Sequence, residues 1–165
     1  MGVKAVIFKE EMSRYIFNMT AGTFVRLLLL GAMLGLFAWS LAIAMDRYMI
    51  TPFFCGNDAS VSVCLNSTVI GGNIATVLMG VMAVPLLAAL RTKRALLVAL
   101  AAVVSLWGIA GWIAGPWYVS LLWTMAVYAA VYAALGWINR LRGNGAAIVF
   151  LVLFVLLARL VLAFS

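Results

Sequence analysis

The residues of this chain most able to do chemistry are two cysteines in one short polar stretch. Cys55 and Cys64 flank the segment GNDASVSV, which puts eight residues between the two thiols. Redox enzymes more often separate their cysteines by two residues, a spacing that tunes thiol pKa and reduction potential. The longer spacing favours a structural disulfide, worth about 2 to 3 kcal/mol through the chain entropy it removes from the open loop. Two unpaired thiols, or a pair that exchanges with a partner, are the alternative.

The acidic residues are too few and too scattered to form a catalytic or metal-binding group. The chain has four of them and no histidine. Only Asp46 and Asp58 lie near the cysteines, and neither has a histidine or lysine beside it to tune it as an acid or base. Two aspartates and two oxidised cysteines do not match the ligand sets of zinc sites. We therefore expect a protein that is not an enzyme and has no catalytic residues, no metal and no cofactor.

The composition indicates that the chain lies within a membrane. Apolar residues make up 68% of its 165 residues and charged residues 9%, against about half and a quarter in soluble domains. A helix that crosses a bilayer needs about 20 mainly apolar residues, because its backbone groups must be paired within the segment. Five such stretches are present, at residues 24–45, 69–90, 95–115, 117–138 and 146–164. The predicted fold is all-α, a polytopic membrane protein in which residues 1–165 form one bundle of five transmembrane helices.

The N-terminal segment, residues 1–20, is too charged to cross a membrane but has one apolar face. At 100° per residue this face contains Phe8, Met12, Tyr15, Ile16 and Met19. The pattern predicts an amphipathic helix that lies in the membrane interface. Its apolar face could contact either lipid or a partner subunit.

The basic residues predict the orientation of the bundle, since lysine and arginine in short loops stay on the cytoplasmic side. Nine of the eleven fall before or at the start of the first span, or in the connections between spans two and three and between spans four and five: Lys4, Lys9, Arg14, Arg26, Arg91, Lys93, Arg94, Arg140 and Arg142. We predict a multi-pass protein of the plasma (inner) membrane with a cytoplasmic N-terminus. The loop of residues 46–68 and the C-terminus are then extracytoplasmic, where cysteines tend to pair. The net charge of +7 is explained by topology and lipid headgroups, so no nucleic-acid partner is expected.

Small residues recur four positions apart in two of the predicted spans. Gly31 and Gly35 lie in the first span, and Gly111 and Gly115 in the third. This spacing lets two helix backbones approach closely, so we expect the bundle to close at these faces. In a chain with 14 glycines the same spacing also arises by accident.

Polar side chains within the spans are few, and each has more than one interpretation. Asn73 and Thr76 in span two could hydrogen-bond to another helix or line a small polar opening. Arg159 in span five could form an interhelical ion pair with Asp46 or with Asp58. Alternatively, its guanidinium reaches the headgroup region unpaired, which costs little so near the end of a span.

These features together favour a protein without chemistry of its own. No carboxylate or histidine lies within a predicted span, although proton-coupled carriers generally need one. We expect a non-catalytic accessory or structural subunit of a larger membrane complex, whose partners are the lipid bilayer and a larger membrane protein or further copies of itself. A small oligomeric transporter, channel or lipid-handling protein is the alternative, and an immunity- or exclusion-type membrane protein is the third. A polar path across the bundle would distinguish the first two.

Overall fold

The protein is 91% helical and has no strand in the part of the chain that its computed structural model describes, residues 21–55, 62–90, 92, 94–111, 115–140 and 144–164. Its helices are α1 (Ala21–Met45), α2 (Thr51–Phe54), α3 (Ser62–Leu65), α4 (Ser67–Ala89), α5 (Ala95–Leu106), α6 (Trp117–Ile138) and α7 (Asn144–Phe164). A π-helical turn, Asp46–Ile50, joins α1 to α2, and a 3-10 turn, Ile109–Gly111, follows α5. The predicted interfacial helix of residues 1–20 lies outside the described residues.

Three of these helical segments are long and apolar enough to cross a membrane. They are Gly22–Phe54, Ser67–Ala89 and Trp117–Ile138. The two other apolar helices, Ala95–Gly111 and Gly145–Val161, are shorter in the part of the chain that is described. The all-helical class is confirmed for the described residues, and the number of spans stays a prediction.

The first helix continues past the predicted end of span one and reaches Phe54. No proline or glycine lies between Met45 and Thr51, and the backbone N–H of Thr51 bonds to the carbonyl of Asp46, the wider spacing of a π turn. Pro52 follows in the first turn of α2, where a missing N–H is tolerated. Much of the segment predicted as the loop 46–68 is therefore helical.

The third predicted span is interrupted. α5 ends at Leu106, Trp107 has an extended backbone (φ −62°, ψ 125°) and Gly108 has a φ of +86°. Side chains with a Cβ rarely adopt that φ, so glycine is the residue that permits the break. A continuous helix over residues 95–115 was the wrong prediction, because hydropathy does not register a glycine that ends a helix inside an apolar run.

Helices α1, α4 and α6 form the centre of the bundle. α1 packs most extensively against α6 and next against α4, while α5 packs on α4 and, less, on α6. α7 contacts α5 and the edge of α6, and among its residues of described burial only Ala147 is buried. α7 therefore lies at the periphery of the described bundle. The core is filled mainly by large side chains, including Leu27, Leu34, Leu87, Val98, Leu106, Tyr128, Tyr132 and Leu135.

Candidate functional site

The two cysteines lie close together at one end of the bundle. Cys55 directly follows α2 and Cys64 lies in α3, with their Cα atoms 5.6 Å apart and their sulfur atoms at bonding distance. That Cα separation is typical of disulfides. The pair links the end of α2 to α3. We call this end of the bundle, which contains the starts of α4 and α6, the disulfide end.

A cavity of about 200 Å³ lies between α1, α4, α6 and the 3-10 turn at the disulfide end. It extends from Thr68 and Trp117, in the first turns of α4 and α6, to Thr76 and Tyr128, about two to three helical turns deeper. Its wall is mostly apolar, with tryptophan and hydroxyl side chains set into it. The lining residues are Ala38, Trp39, Ala42, Ile43, Thr68, Gly72, Thr76, Ile109, Ala110, Trp117, Ser120, Thr124 and Tyr128.

A hydrogen bond between α4 and α6 closes the deep end of the cavity. The Thr76 hydroxyl donates to the carbonyl of Gly72 over 2.8 Å and lies 2.9 Å from the Tyr128 hydroxyl. A threonine hydroxyl has a single proton, so the Tyr128 hydroxyl is the donor in the second bond. Thr76 and Tyr128 are 4% and 2% exposed. This buried pair forms the floor of the cavity.

Asp46 lies at the mouth of the cavity. The Thr68 hydroxyl donates to its Oδ2 over 3.4 Å and the Thr51 hydroxyl to its Oδ1 over 3.3 Å. Between mouth and floor, the Thr124 hydroxyl donates to the carbonyl of Ser120 over 2.8 Å. The carboxylate of Asp46 is thus hydrogen-bonded directly to Thr68, a residue of the cavity wall.

A second polar arrangement surrounds the break after α5. The backbone N–H of Gly108 donates to Oδ1 of Asn73 over 2.8 Å, and Nη1 of Arg159 donates to the carbonyl of Trp107 over 2.9 Å. The break removes these two groups from the helical ladder, and polar side chains of α4 and α7 bind them. In apolar surroundings unpaired backbone groups cost several kcal/mol, on the order of 2 to 7 by transfer measurements. Asn73 and Arg159 therefore stabilise an interrupted helix.

The structure separates polar residues that the sequence had grouped. Thr76 lines the cavity, whereas Asn73 binds the α5 break. Arg159 binds a backbone carbonyl, while the carboxylate of Asp46 accepts from two threonine hydroxyls, so the predicted Asp46–Arg159 ion pair is not formed in this arrangement. Asp58, the other proposed partner of Arg159, lies outside the described residues.

The predicted glycine pairs have different positions. A Cβ on Gly31 would lie 2.7 Å from Cα of Ala129, and one on Gly35 would lie 2.9 Å from Cα of Met125, so both glycines face the backbone of α6. Gly111 and Gly115 are exposed and lie outside the helices, Gly111 in the 3-10 turn and Gly115 in an open turn with a φ of +151°. The second pair does not form a helix-packing face.

Two features of the site were missed from the sequence. Tyr128 was not singled out, although a tyrosine surrounded by small residues in mid-span, as in AVYAAVY, is a signal for a buried hydroxyl that needs a partner. The Trp107–Gly108 break was missed because its glycine stands within an apolar run. Both features depend on neighbours from distant parts of the chain.

Similarity to known proteins assigns no role to this site. The chain matches no protein-family model, no curated protein and no solved structure.

Proposed function

We propose that the chain is an integral protein of the plasma (inner) membrane with five spans. Three helices of spanning length support this, and α5 with its 12 residues covers about 18 Å before the 3-10 turn carries the chain onward. The basic residues of the connections opposite the disulfide end support a cytoplasmic N-terminus and an extracytoplasmic disulfide end.

In that setting the protein acts as a non-catalytic accessory subunit of a larger membrane complex. The observation that carries this proposal is the filled half of the bundle opposite the disulfide end. Leu27, Leu87, Val98, Tyr132 and Leu135 occupy it, and each is at most 2% exposed. Close-packed apolar side chains leave no room for a water-filled path. This favours an accessory role over transport.

The last helix supplies a surface through which such a subunit could join a complex. α7 packs on its own chain along one side, and its opposite side exposes large apolar side chains that include Leu153, Leu156 and Leu160. Bulky apolar side chains suit contact with lipid or with another transmembrane helix. A partner here would bury the long helix that the chain itself buries least among its described residues.

A small oligomeric transporter is the second candidate, and the cavity is the observation that favours it. It opens at the disulfide end and holds buried hydroxyls. Transport would require the Thr76–Tyr128 bond to open and the apolar half below it to rearrange.

Gentle affinity purification of the full-length protein from its native membrane, followed by mass spectrometry, tests the accessory role. Near-stoichiometric recovery with a larger membrane protein is expected. Leu156→Trp on α7 should reduce that recovery, whereas Leu122→Trp, an equally exposed position on α6, should leave it unchanged (59% and 64% exposed). Recovery of the protein alone, as a homogeneous homo-oligomer, would contradict the proposal and favour the transporter, which flux assays in liposomes would then examine.

A further inference from the structure

We propose that the cavity at the disulfide end binds a small amphiphilic ammonium compound, with its N–H groups donated to the buried hydroxyls and its apolar part against the cavity wall. The proposal does not depend on the accessory role, because such a site could serve a regulated subunit as well as a carrier.

Three buried hydroxyls of the cavity, those of Thr76, Tyr128 and Thr124, can offer a ligand acceptor sites only. Thr76 donates its proton to a backbone carbonyl and Tyr128 donates to Thr76. Thr124 likewise donates to a backbone carbonyl of its own helix. Each hydroxyl has one proton and two lone pairs, so what remains at all three is lone pairs. A ligand that satisfies them must be a hydrogen-bond donor.

These three residues are deeply buried, so a ligand that does not match their acceptor character would bind poorly. Their exposed fractions are 4% for Thr76, 2% for Tyr128 and 6% for Thr124. In such surroundings a mismatched polar group is costly, because it loses its hydration without gaining a partner. At these three hydroxyls, a ligand that presents an acceptor, such as a carboxylate, would place lone pairs against lone pairs.

A carboxylate bound to the cavity wall and two aromatic rings within the wall favour a cation over a neutral donor. Asp46 is hydrogen-bonded to Thr68 of the wall, and the described lining residues contain no lysine or arginine. Trp39 and Trp117 add aromatic rings, whose faces attract cations. The N-termini of α4 and α6 oppose this preference at the mouth, but the effect of a helix dipole falls off within the first turn.

The size of the cavity limits the ligand to a small molecule. Its volume is about 200 Å³, whereas an apolar cavity of about 150 Å³ holds benzene. One ring with a short amine chain fits. A peptide or a complete phospholipid does not.

Equilibrium binding of radiolabelled 2-phenylethylammonium to the full-length protein in nanodiscs tests the proposal. 2-Phenylethanol and 3-phenylpropanoate, which share the ring and a short chain, serve as the neutral and anionic competitors. The ammonium should bind saturably and roughly tenfold more tightly than the alcohol, the size expected of a charged hydrogen bond over a neutral one. The carboxylate should not compete. Absence of saturable ammonium binding would overturn the proposal. So would equal competition by the unlabelled ammonium, the alcohol and the carboxylate, which is the behaviour of a groove that accepts any acyl chain.

Variants locate the site. Thr124→Val preserves the shape of the side chain and should weaken ammonium binding roughly tenfold. Ser105→Ala is the matched control, because Ser105 is also a buried hydroxyl but does not line the cavity. Asp46→Asn, about two helical turns from the buried hydroxyls, should weaken the ammonium only slightly and leave the alcohol unchanged. Ala42→Phe, which fills the cavity, should abolish binding of both.

The thermal unfolding midpoint of each variant is first compared with that of the wild type. This comparison distinguishes a loss of binding from a loss of folding. If Ala42→Phe unfolds the protein, Thr124→Val decides the question. Wild-type affinity in a folded Thr124→Val variant, or an equal loss in Ser105→Ala, would overturn the assignment to this cavity.

Discussion

At Trp107 and Gly108 the chain leaves a carbonyl and an N–H outside any helix, and single side chains from α7 and α4 bind them. Polar residues in apolar helices are commonly interpreted as sites for ions or substrates. Here Arg159 and Asn73 bind backbone groups of the break after α5, which accounts for both polar residues without a ligand. Within the described part of the chain, the polar residues of the cavity remain candidates for binding a ligand.

The bond from Gly108 to Asn73 can be tested by one substitution. Asn73→Leu keeps the approximate size of the side chain but removes the acceptor, leaving the N–H unpaired. We expect the free energy of unfolding to fall by about 1 to 3 kcal/mol, measured by denaturant titration in detergent. Asn66→Leu is the control, since the exposed Asn66 amide donates to the carbonyl of Ser62, the first residue of α3, and its effect should stay within about 0.5 kcal/mol. Equal effects at both positions would contradict the role assigned to Asn73.

At the level of helices, the closest contact is between α1 and α6. Gly31 and Gly35 form one face of α1, and the backbone of α6 lies directly against it. In lipid, helices associate through such close packing, because the surrounding acyl chains are as apolar as the side chains. The contact between the first and fourth long apolar segments brings together the walls of the cavity.

Two glycines of α1 provide a matched test of that contact. Gly31→Ala would place a methyl group 2.7 Å from a backbone atom of α6, whereas Gly22→Ala would meet nothing within 4 Å. The first change should destabilise the protein by about 1 to 3 kcal/mol through overpacking. The second should be neutral or stabilise it by up to about 1 kcal/mol, because alanine favours helix. Thermal unfolding in one detergent compares the two, and similar shifts would contradict the close approach.

The sequence predicted the ends of helices well where hydropathy and helix capping agree. It predicted them less well where a single residue determines where a helix ends. α6 begins at Trp117, directly after Pro116, and this start was expected. The end of α5 was not, because the φ of Gly108 is compatible with the fold only when Asn73 and Arg159 bind the freed groups. The prediction of a packing face at Gly111 and Gly115 assumed that both lie in one helix, but α5 ends at Leu106. A four-residue spacing therefore predicts a shared helix face only where the backbone is helical.

At the level of the whole molecule, the two ends of the bundle differ. Apolar side chains fill the half that contains Leu27 and Leu135, while the other half holds the cavity, Asp46 and the disulfide pair. Composition could predict a membrane bundle but not this asymmetry, because the cavity is formed by residues from three distant helices. The predicted disulfide lies on the side where the bundle is open.

The disulfide pair is therefore expected to matter for the disulfide end and little for the rest of the molecule. Replacing Cys55 and Cys64 together by serine removes the link between α2 and α3. Closing a loop of this length is worth about 2 to 3 kcal/mol, so local opening should increase by roughly tenfold or more, since 1.4 kcal/mol corresponds to a factor of ten. Membrane insertion, which depends on the apolar helices, should be unchanged.

Limited proteolysis of the solubilised protein measures this opening. The double variant should be cleaved faster between residues 55 and 64, and wild-type protein treated with a reductant should behave like the variant. Cleavage of the connection between α6 and α7, at the opposite end, is the internal control and should keep its rate in solubilised protein. If the variant and the oxidised wild type are cleaved equally fast, the pair does not constrain this end of the molecule. If both connections are cleaved faster, the disulfide stabilises the whole bundle, and the two halves are more strongly coupled than their packing indicates.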